Sequence, residues 1–167
     1  MRELLIIDGY NVLHFSPGYR SLLDEDLESA RVRLVEDVAN FAGIEGVDAI
    51  VVFDASNRKG ARRSSVDVLG VRVLFTGEGE TADSAIERLA HEARGDRRVR
   101  VATSDYAQQR AVFAKGVLRM SARELVDRIQ EEAREAAEHS SSGPRRVFLE
   151  DRLEEEIRNK LRRYTAK

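Results

Sequence analysis

The chain has no cysteine, which removes disulfides, thiolate metal sites and thiol nucleophiles together and fits a reducing compartment. It also lacks any apolar run near the ~18–20 residues of a membrane span, and no basic segment precedes a long apolar stretch at its start. A cytoplasmic protein is expected. Excess charge is missing too: 28 Lys and Arg stand against 30 Asp and Glu, a formal net charge of −2. A polyanion would have to be met by local clusters of cations, not by bulk attraction. Neither phosphate-cradling glycine pattern, G-x-x-x-x-G-K-[ST] or G-x-G-x-x-G, occurs, and Gly77-Glu78-Gly79 is too short and too acidic to replace one. With no thiol and no Ser/His/Asp set in a suitable arrangement, acyl transfer has little support.

What is present is an apolar run that breaks on an acid, Leu4-Leu5-Ile6-Ile7-Asp8-Gly9-Tyr10-Asn11. Val51-Val52-Phe53-Asp54 and Val101-Ala102-Thr103-Ser104-Asp105 repeat it. Each reads as a buried strand that delivers an aspartate at its carboxyl end, the edge of a parallel sheet where ligands collect. The 167 residues, 42% of them hydrophobic and 35% charged, suffice for one globular domain with a heavily charged surface plus a short appendage.

Apolar runs alternate with segments of helical period, so an α/β fold is expected, with a mainly parallel sheet of about five strands and helices on both faces. The runs fall near 3–8, 47–53, 69–75, 99–104 and 117–120. Leu23, Leu27, Ala30, Leu34, Val38 and Phe41 predict one long helix stopped by Gly43. Thr81 is an N-cap candidate for a helix carrying Ile86, Leu89, Ala90 and Ala93, with Asp83 in its first turn. A short helix is expected over 106–115. Ser121-Ala122-Arg123-Glu124 has the form of a capping box for a helix reaching Glu138. The expected organisation is a domain over 1–138, a linker over 139–146 and an amphipathic helix over 147–167 with Leu149, Leu153, Ile157, Leu161 and Tyr164 in one stripe. That helix could pack on the domain, on another subunit or on a large partner.

Asp8, Asp54, Asp83 and Asp105 thus converge on one rim. Crowded carboxylates repel unless they share a proton or hold a cation, and an oxygen-only ligand set favours Mg²⁺ or Mn²⁺. With a phosphate substrate, metal-assisted phosphodiester hydrolysis follows. Asn11 and Ser104 are placed to orient a carboxylate or a water, although both residue types also suit strand-to-helix turns for local reasons. Asp83 has a simpler alternative as a complement to the helix dipole. Arg58-Lys59-Gly60-Ala61-Arg62-Arg63 follows the Asp54 strand end and would draw a phosphodiester toward the acids, or else form a solvated loop.

Ile7-Asp8-Gly9-Tyr10-Asn11-Val12-Leu13-His14, Val52-Phe53-Asp54, Thr81-Ala82-Asp83 with Ile86-Glu87, and Ala102-Thr103-Ser104-Asp105 together resemble the NYN domain in its bacterial YacP-like branch, a group within the PIN-like nucleases. The resemblance covers about the whole chain. It implies a three-layer α/β/α PIN-like fold, divalent-metal dependence and endoribonuclease activity on RNA, with Asp8, Asp54, Asp83 and Asp105 at the acidic positions and Asn11 as the motif asparagine. Asp8, Asp83 and Asp105 are the expected metal ligands, Asn11 and Ser104 the orienting groups, and Glu87, one helical turn after Asp83, is a further ligand, a water-orienting group or a surface glutamate. Arg58, Lys59, Arg62 and Arg63 are the expected RNA contacts. It also implies a role in RNA processing or mRNA turnover, with single-stranded mRNA as substrate and the ribosome as a candidate partner.

Two other acid-bearing sheet proteins fit poorly. A haloacid-dehalogenase-type phosphatase needs a second Asp where this chain has Tyr10, and a receiver domain needs a lysine that Val117-Leu118-Arg119-Met120-Ser121 does not supply. The stronger alternative is an RNA- or ribosome-binding module with weak or partner-dependent nuclease activity.

Overall fold

The computed structural model describes residues 1–104, 116–139 and 145–165. In chain order its elements are β1 (Leu4–Asp8), α1 (Gly9–Phe15), α2 (Pro17–Glu25), α3 (Leu27–Glu45), β2 (Asp48–Phe53), β3 (Ser64–Val68), β4 (Val71–Phe75), α4 (Ala82–Ala93), β5 (Val99–Ala102), β6 (Val117–Met120), α5 (Ala122–His139) and α6 (Arg145–Thr165). The strands form one sheet in the order β3-β4-β2-β1-β5-β6. All neighbours run parallel except β3, which is antiparallel to β4.

Strand β1 is aliphatic and buried along its whole length, as a strand covered on both faces must be. Its side chains alternate between two cores. Leu5 and Ile7, with Val51, Phe53, Val73 and Phe75, face the layer of α1, α2, α3, α5 and α6. Leu4 and Ile6, with Ile50, Val52, Leu74, Val99 and Val101, face Ala82, Ala85, Ile86 and Ala90 of α4. The result is the three-layer α/β/α sandwich expected from the sequence. Each fully buried Ile or Leu contributes roughly 1.5–3 kcal/mol through loss of apolar surface from water.

The sheet has six described strands where the sequence suggested about five. The additional one, β3, is an edge strand whose side chains are mostly half-buried or exposed, so its Ser-Ser-Val-Asp-Val sequence carries little apolar signal. A two-residue turn at Leu69-Gly70 joins it to β4, with φ of 52° and 81°. Positive φ at both turn residues is the primed geometry whose twist matches a hairpin.

The long helix expected from Leu23 is two helices. Asp26 interrupts it by capping α3, its side chain accepting from the Ser29 N–H at 3.0 Å. Helix α3 then passes Gly43 and stops at Gly46, whose φ of 67° only glycine adopts without strain. Helix α1 was not expected either. It begins directly on the β1 acid, with Asp8 as N-cap. Pro17 supplies the first position of α2, where its missing N–H costs nothing.

Helix α4 is capped by Thr81, as expected, through the Ser84 N–H at 3.2 Å. The capping box forms at α5: Glu124 N–H donates to Ser121 Oγ at 3.1 Å, and Ser121 N–H to Glu124 Oε2 at 2.7 Å. His139 ends α5 and Arg145 starts α6; residues 140–144 of the expected linker lie outside the described residues, as does the expected helix over 106–115. Ile157 and Leu161 of α6 are buried in the core beside α3, and Arg158 donates to Ser29 Oγ at 3.0 Å.

Leu69 is the one described non-glycine residue with positive φ, and its side chain is exposed. A left-handed conformation costs an L-residue roughly 1–2 kcal/mol, less for Asn. Leu69→Asn is therefore expected to raise stability by about 1 kcal/mol, read as a higher urea midpoint at unchanged slope. An unchanged or lower midpoint would show that the turn carries no such strain.

Candidate active site at the carboxyl edge of the sheet

Chain direction across the sheet reverses at β1. From β1 the chain moves outward to β2 and β4 on one side, then returns through α4 to β5 on the other. The loops after β1 and β5 therefore part, leaving a crevice at the carboxyl ends of these strands. Asp8 closes β1 there and is 8% exposed. Its carboxylate accepts from the Asn11 N–H at 3.4 Å. By the alternation along β1, Asp8 continues the Leu4–Ile6 series that faces α4.

Asp54 continues the Ile50–Val52 series in the same way, just past β2. Both of its oxygens are committed to backbone. Oδ1 accepts from the Ser56 N–H at 2.8 Å and Oδ2 from the Ala82 N–H at 2.9 Å. Burial opposes ionisation of Asp54, but hydrogen bonds from Ser56 and Ala82 outweigh it and hold its carboxyl below the ordinary value. Asp54 thus clamps the first turn of α4 to the end of β2. Asp83, the next residue, is exposed in that turn, and Glu87 is exposed one turn further on.

Asn11 and Ser104 form a brace across the crevice. Ser104 N–H donates to Asn11 Oδ1 at 2.8 Å, and Ala122 N–H donates to Ser104 Oγ at 3.2 Å. One relay ties the starts of α1 and α5 to the end of β5. Asp105 lies outside the described residues. Among the described residues no three His, Cys, Asp or Glu side chains form a group able to hold a metal ion. Asp8 and Asp83 are the two described members of the three-ligand set expected from the sequence.

Close packing supports this rim from below. A Cβ on Gly9 would lie 2.5 Å from Phe53 Cε1 and 3.1 Å from Val51 Cγ1, so only glycine fits between Asp8 and α1. Phe53 stacks on Phe75 at 5.6 Å and meets Tyr10 at 5.1 Å. The Arg31 guanidinium sits 5.4–5.8 Å from all three rings and donates to the Tyr10 hydroxyl. Arg31 carried no signal in the sequence, because the helical period assigns it only a position beside the core face.

The basic segment divides in two. Arg63 was expected to contact RNA, but it forms a bidentate pair with Glu80, which also accepts from Arg88 at 2.7 Å. That pairing compensates its charge and ties the loop to Glu80. Arg58, Lys59 and Arg62 line a cavity of about 500 Å³ together with Arg163 and Tyr164 from the end of α6. Tyr164 lies in the apolar stripe read from the sequence and Arg163 beside it, and nothing in the local pattern links either to a loop about a hundred residues earlier.

The YacP-like NYN domain family matches residues 5–166. The chain belongs to that family. YacP-like NYN relatives include YacP of Bacillus subtilis (strain 168), 40% identical over 129 residues that make up 77% of this chain and 75% of the relative. Two crystal structures of Rae1 (YacP) from Bacillus subtilis superpose with TM-scores of 0.70 and 0.69 at 35% and 34% identity, the first being of a single-residue mutant. They cover 93% and 96% of this chain, and 89% and 93% of the respective structures. YacP-like NYN membership makes this a nuclease-type domain with an RNA-related function. No helix among the described residues is long and apolar enough to cross a membrane.

Two expectations follow for the scaffold. Gly9→Ala drives a methyl group into the Phe53 ring and is expected to cost about 1–3 kcal/mol of stability, measured by urea unfolding; wild-type stability would mean that the ring moves freely. Glu80 is opposed by burial but held ionised by Arg63, Arg88 and the Gly77 N–H, which bring its pKa from 4.5 to about 2. Because the folded value is depressed, its contribution is present above about 4.5 and lost as pH falls toward 2. Glu80→Gln should therefore lower stability by about 1 kcal/mol at neutral pH, with the gap from wild type closing over that acid window. A gap independent of pH would refute this origin.

Proposed function

We propose that the protein is a divalent-metal-dependent endoribonuclease that hydrolyses phosphodiester bonds of single-stranded RNA in RNA processing or mRNA turnover. The observation that carries the reading is the register. Asp8 and Asp54 continue the strand series that face α4, and Asp54 fixes by hydrogen bond the helical turn that carries Asp83. This occurs at the reversal point of the sheet in a YacP-like NYN domain.

The donor set suits a hard cation. The candidate ligands Asp8, Asp83 and Asp105 offer oxygen alone, the chain has no thiol, and Mg²⁺ or Mn²⁺ is the matching ion. Bound there, such an ion supplies Lewis acidity to the phosphoryl group. The chain's own residues do the rest. Asp54 acts by position, holding Asp83 against the strand ends while its own oxygens stay on backbone N–H groups. Asn11 has its carbonyl oxygen committed to Ser104, so its amide N–H groups are what it offers to the phosphate or to a water. Glu87, exposed on the same helix as Asp83, serves to orient water. The cations at 58, 59 and 62 bring the polyanion to this edge.

A second reading, an RNA- or ribosome-binding module whose cleavage depends on a partner, uses the same cationic loop. An end-labelled single-stranded RNA incubated with Mn²⁺, Mg²⁺ or EDTA separates them. Wild type is expected to make metal-dependent internal cuts, and Asp8→Asn or Asp83→Asn to reduce cleavage by roughly a hundredfold or more, equivalent to about 3 kcal/mol of transition-state stabilisation. Intact RNA binding without any cleavage by folded wild type moves the assignment to the partner-dependent module, tested next with translating ribosomes.

A further inference from the structure

The cavity beside the acid edge has a composition that the cleavage chemistry does not need. Its walls carry Arg58, Lys59, Arg62 and Arg163 and include no carboxylate. Lys59, Arg62 and Arg163 make no ion pair with any described residue, whereas Arg63, Arg88, Arg97, Arg100 and Arg128 are each held by an acid. Like charges gathered around a concave surface repel one another and favour an anion between them. The volume, about 500 Å³, lies within the ~300–1,000 Å³ of small-molecule sites.

Two aromatic side chains share the walls. Phe75 is 3% exposed and belongs to the core, but Tyr164 is 39% exposed while Ile157 and Leu161 on the same helix are fully buried. Its place on α6 is therefore fixed by its neighbours while its ring stays accessible. An accessible ring on a rigid helix, ringed by cations, is the combination that holds an unstacked base and its phosphates. The cavity also reaches Ala55 and Thr76, and Ala55 N–H donates to Thr76 Oγ1 at 2.7 Å immediately after Asp54. A nucleotide seated here is next to the acid edge.

We propose that this cavity receives one splayed nucleotide of the single-stranded RNA substrate, adjacent to the cleaved bond, with its base against Tyr164 and its flanking phosphates on Lys59, Arg62 and Arg163. The proposal rests on the nuclease reading and deepens it: α6 completes the substrate site, and its docking through Ile157, Leu161 and Arg158 sets the position of the base platform. Because one base occupies the cavity, the site selects single strands over duplex.

The test is equilibrium binding of a fluorescently labelled single-stranded oligoribonucleotide in EDTA, followed by anisotropy across a salt series, with cleavage in Mn²⁺ measured in parallel. Tyr164→Ala is expected to weaken binding roughly 5- to 150-fold, and Tyr164→Phe, which keeps the ring, to stay within about twofold of wild type. Arg163→Ala and Lys59→Ala should each lower the slope of log affinity against log salt by about 1. Arg94→Ala, at the opposite, amino-terminal edge of the sheet, should change neither. Wild-type affinity and salt slope in Tyr164→Ala and Arg163→Ala, with metal-dependent cleavage intact, would overturn the cavity proposal and leave the nuclease reading standing. A folded wild type that neither binds nor cuts the RNA would overturn both.

Discussion

Strand β1 is hydrogen-bonded on both edges and packed on both faces, which leaves only its two ends toward solvent, and Asp8 stands at the carboxyl one. The rest of the site inherits its geometry from that confinement. The two-residue alternation of a strand permits no compromise: a slip by one position would turn Ile6 and Asp8 together to the other face. Ile6 and Ile7 are both fully buried, in different cores, so the register is fixed by two sets of contacts at once. The aspartate at the strand end therefore faces α4 because of the apolar residues before it. Gly9 adds the second constraint, since the chain must turn into α1 with the Phe53 ring only 2.5 Å from where any Cβ would sit.

Acidic side chains do two kinds of work around this edge. Asp54 and Glu80 are spent on the scaffold: one fastens α4 to β2 through backbone N–H groups, the other gathers Arg63, Arg88 and the Gly77 N–H into one anchor. Both are held in the ionised form by those partners. The same division runs through the cations, where Arg31 is absorbed by three aromatic rings and Arg63 by Glu80. Charged residues that look equivalent in the sequence are thus separated by whether a partner already compensates them.

That separation marks the limit of what could be read from the sequence. Long aliphatic runs announced β1 and β2, because a strand buried on both faces is nearly continuously apolar, and β4 and β5 were legible as apolar segments broken only by Arg72 and Arg100. The caps at Thr81 and Ser121 were legible because they are local, with donor and acceptor three residues apart. β3 was hidden because an edge strand can be polar, and α1 because its cap is the same Asp8 that ends the strand. Gly43 and Gly46 are indistinguishable as letters, and only the positive φ at Gly46 makes it the stop. The places of Asp8 and Asp54 at strand ends followed from the apolar runs before them, and that of Asp83 in a first helical turn from the Thr81 cap. The contribution of Arg163 and Tyr164 was not, since it depends on where α6 docks.

A polyanion approaching a rim of aspartates meets repulsion before it meets any favourable chemistry. At about 10 Å and an effective dielectric near 20, one pair of unit charges interacts by roughly 1.7 kcal/mol, so a few carboxylates suffice to keep a phosphate away. Neutralising the acids would remove the repulsion and the means of holding a cation with it. The fold instead sets a carboxylate-free cationic cavity one residue past Asp54, its cations drawn from two segments far apart in the chain. With a net charge of −2, attraction has to be local, and it is placed on the side of the acids where the backbone of β2 and β4 ends. In the proposed binding mode the opposing fields would impose a direction on the strand, with phosphates on the cations and the bond beside them turned toward the acids. Salt would weaken the first step more than the second, because the cationic walls are open to solvent while Asp8 is buried.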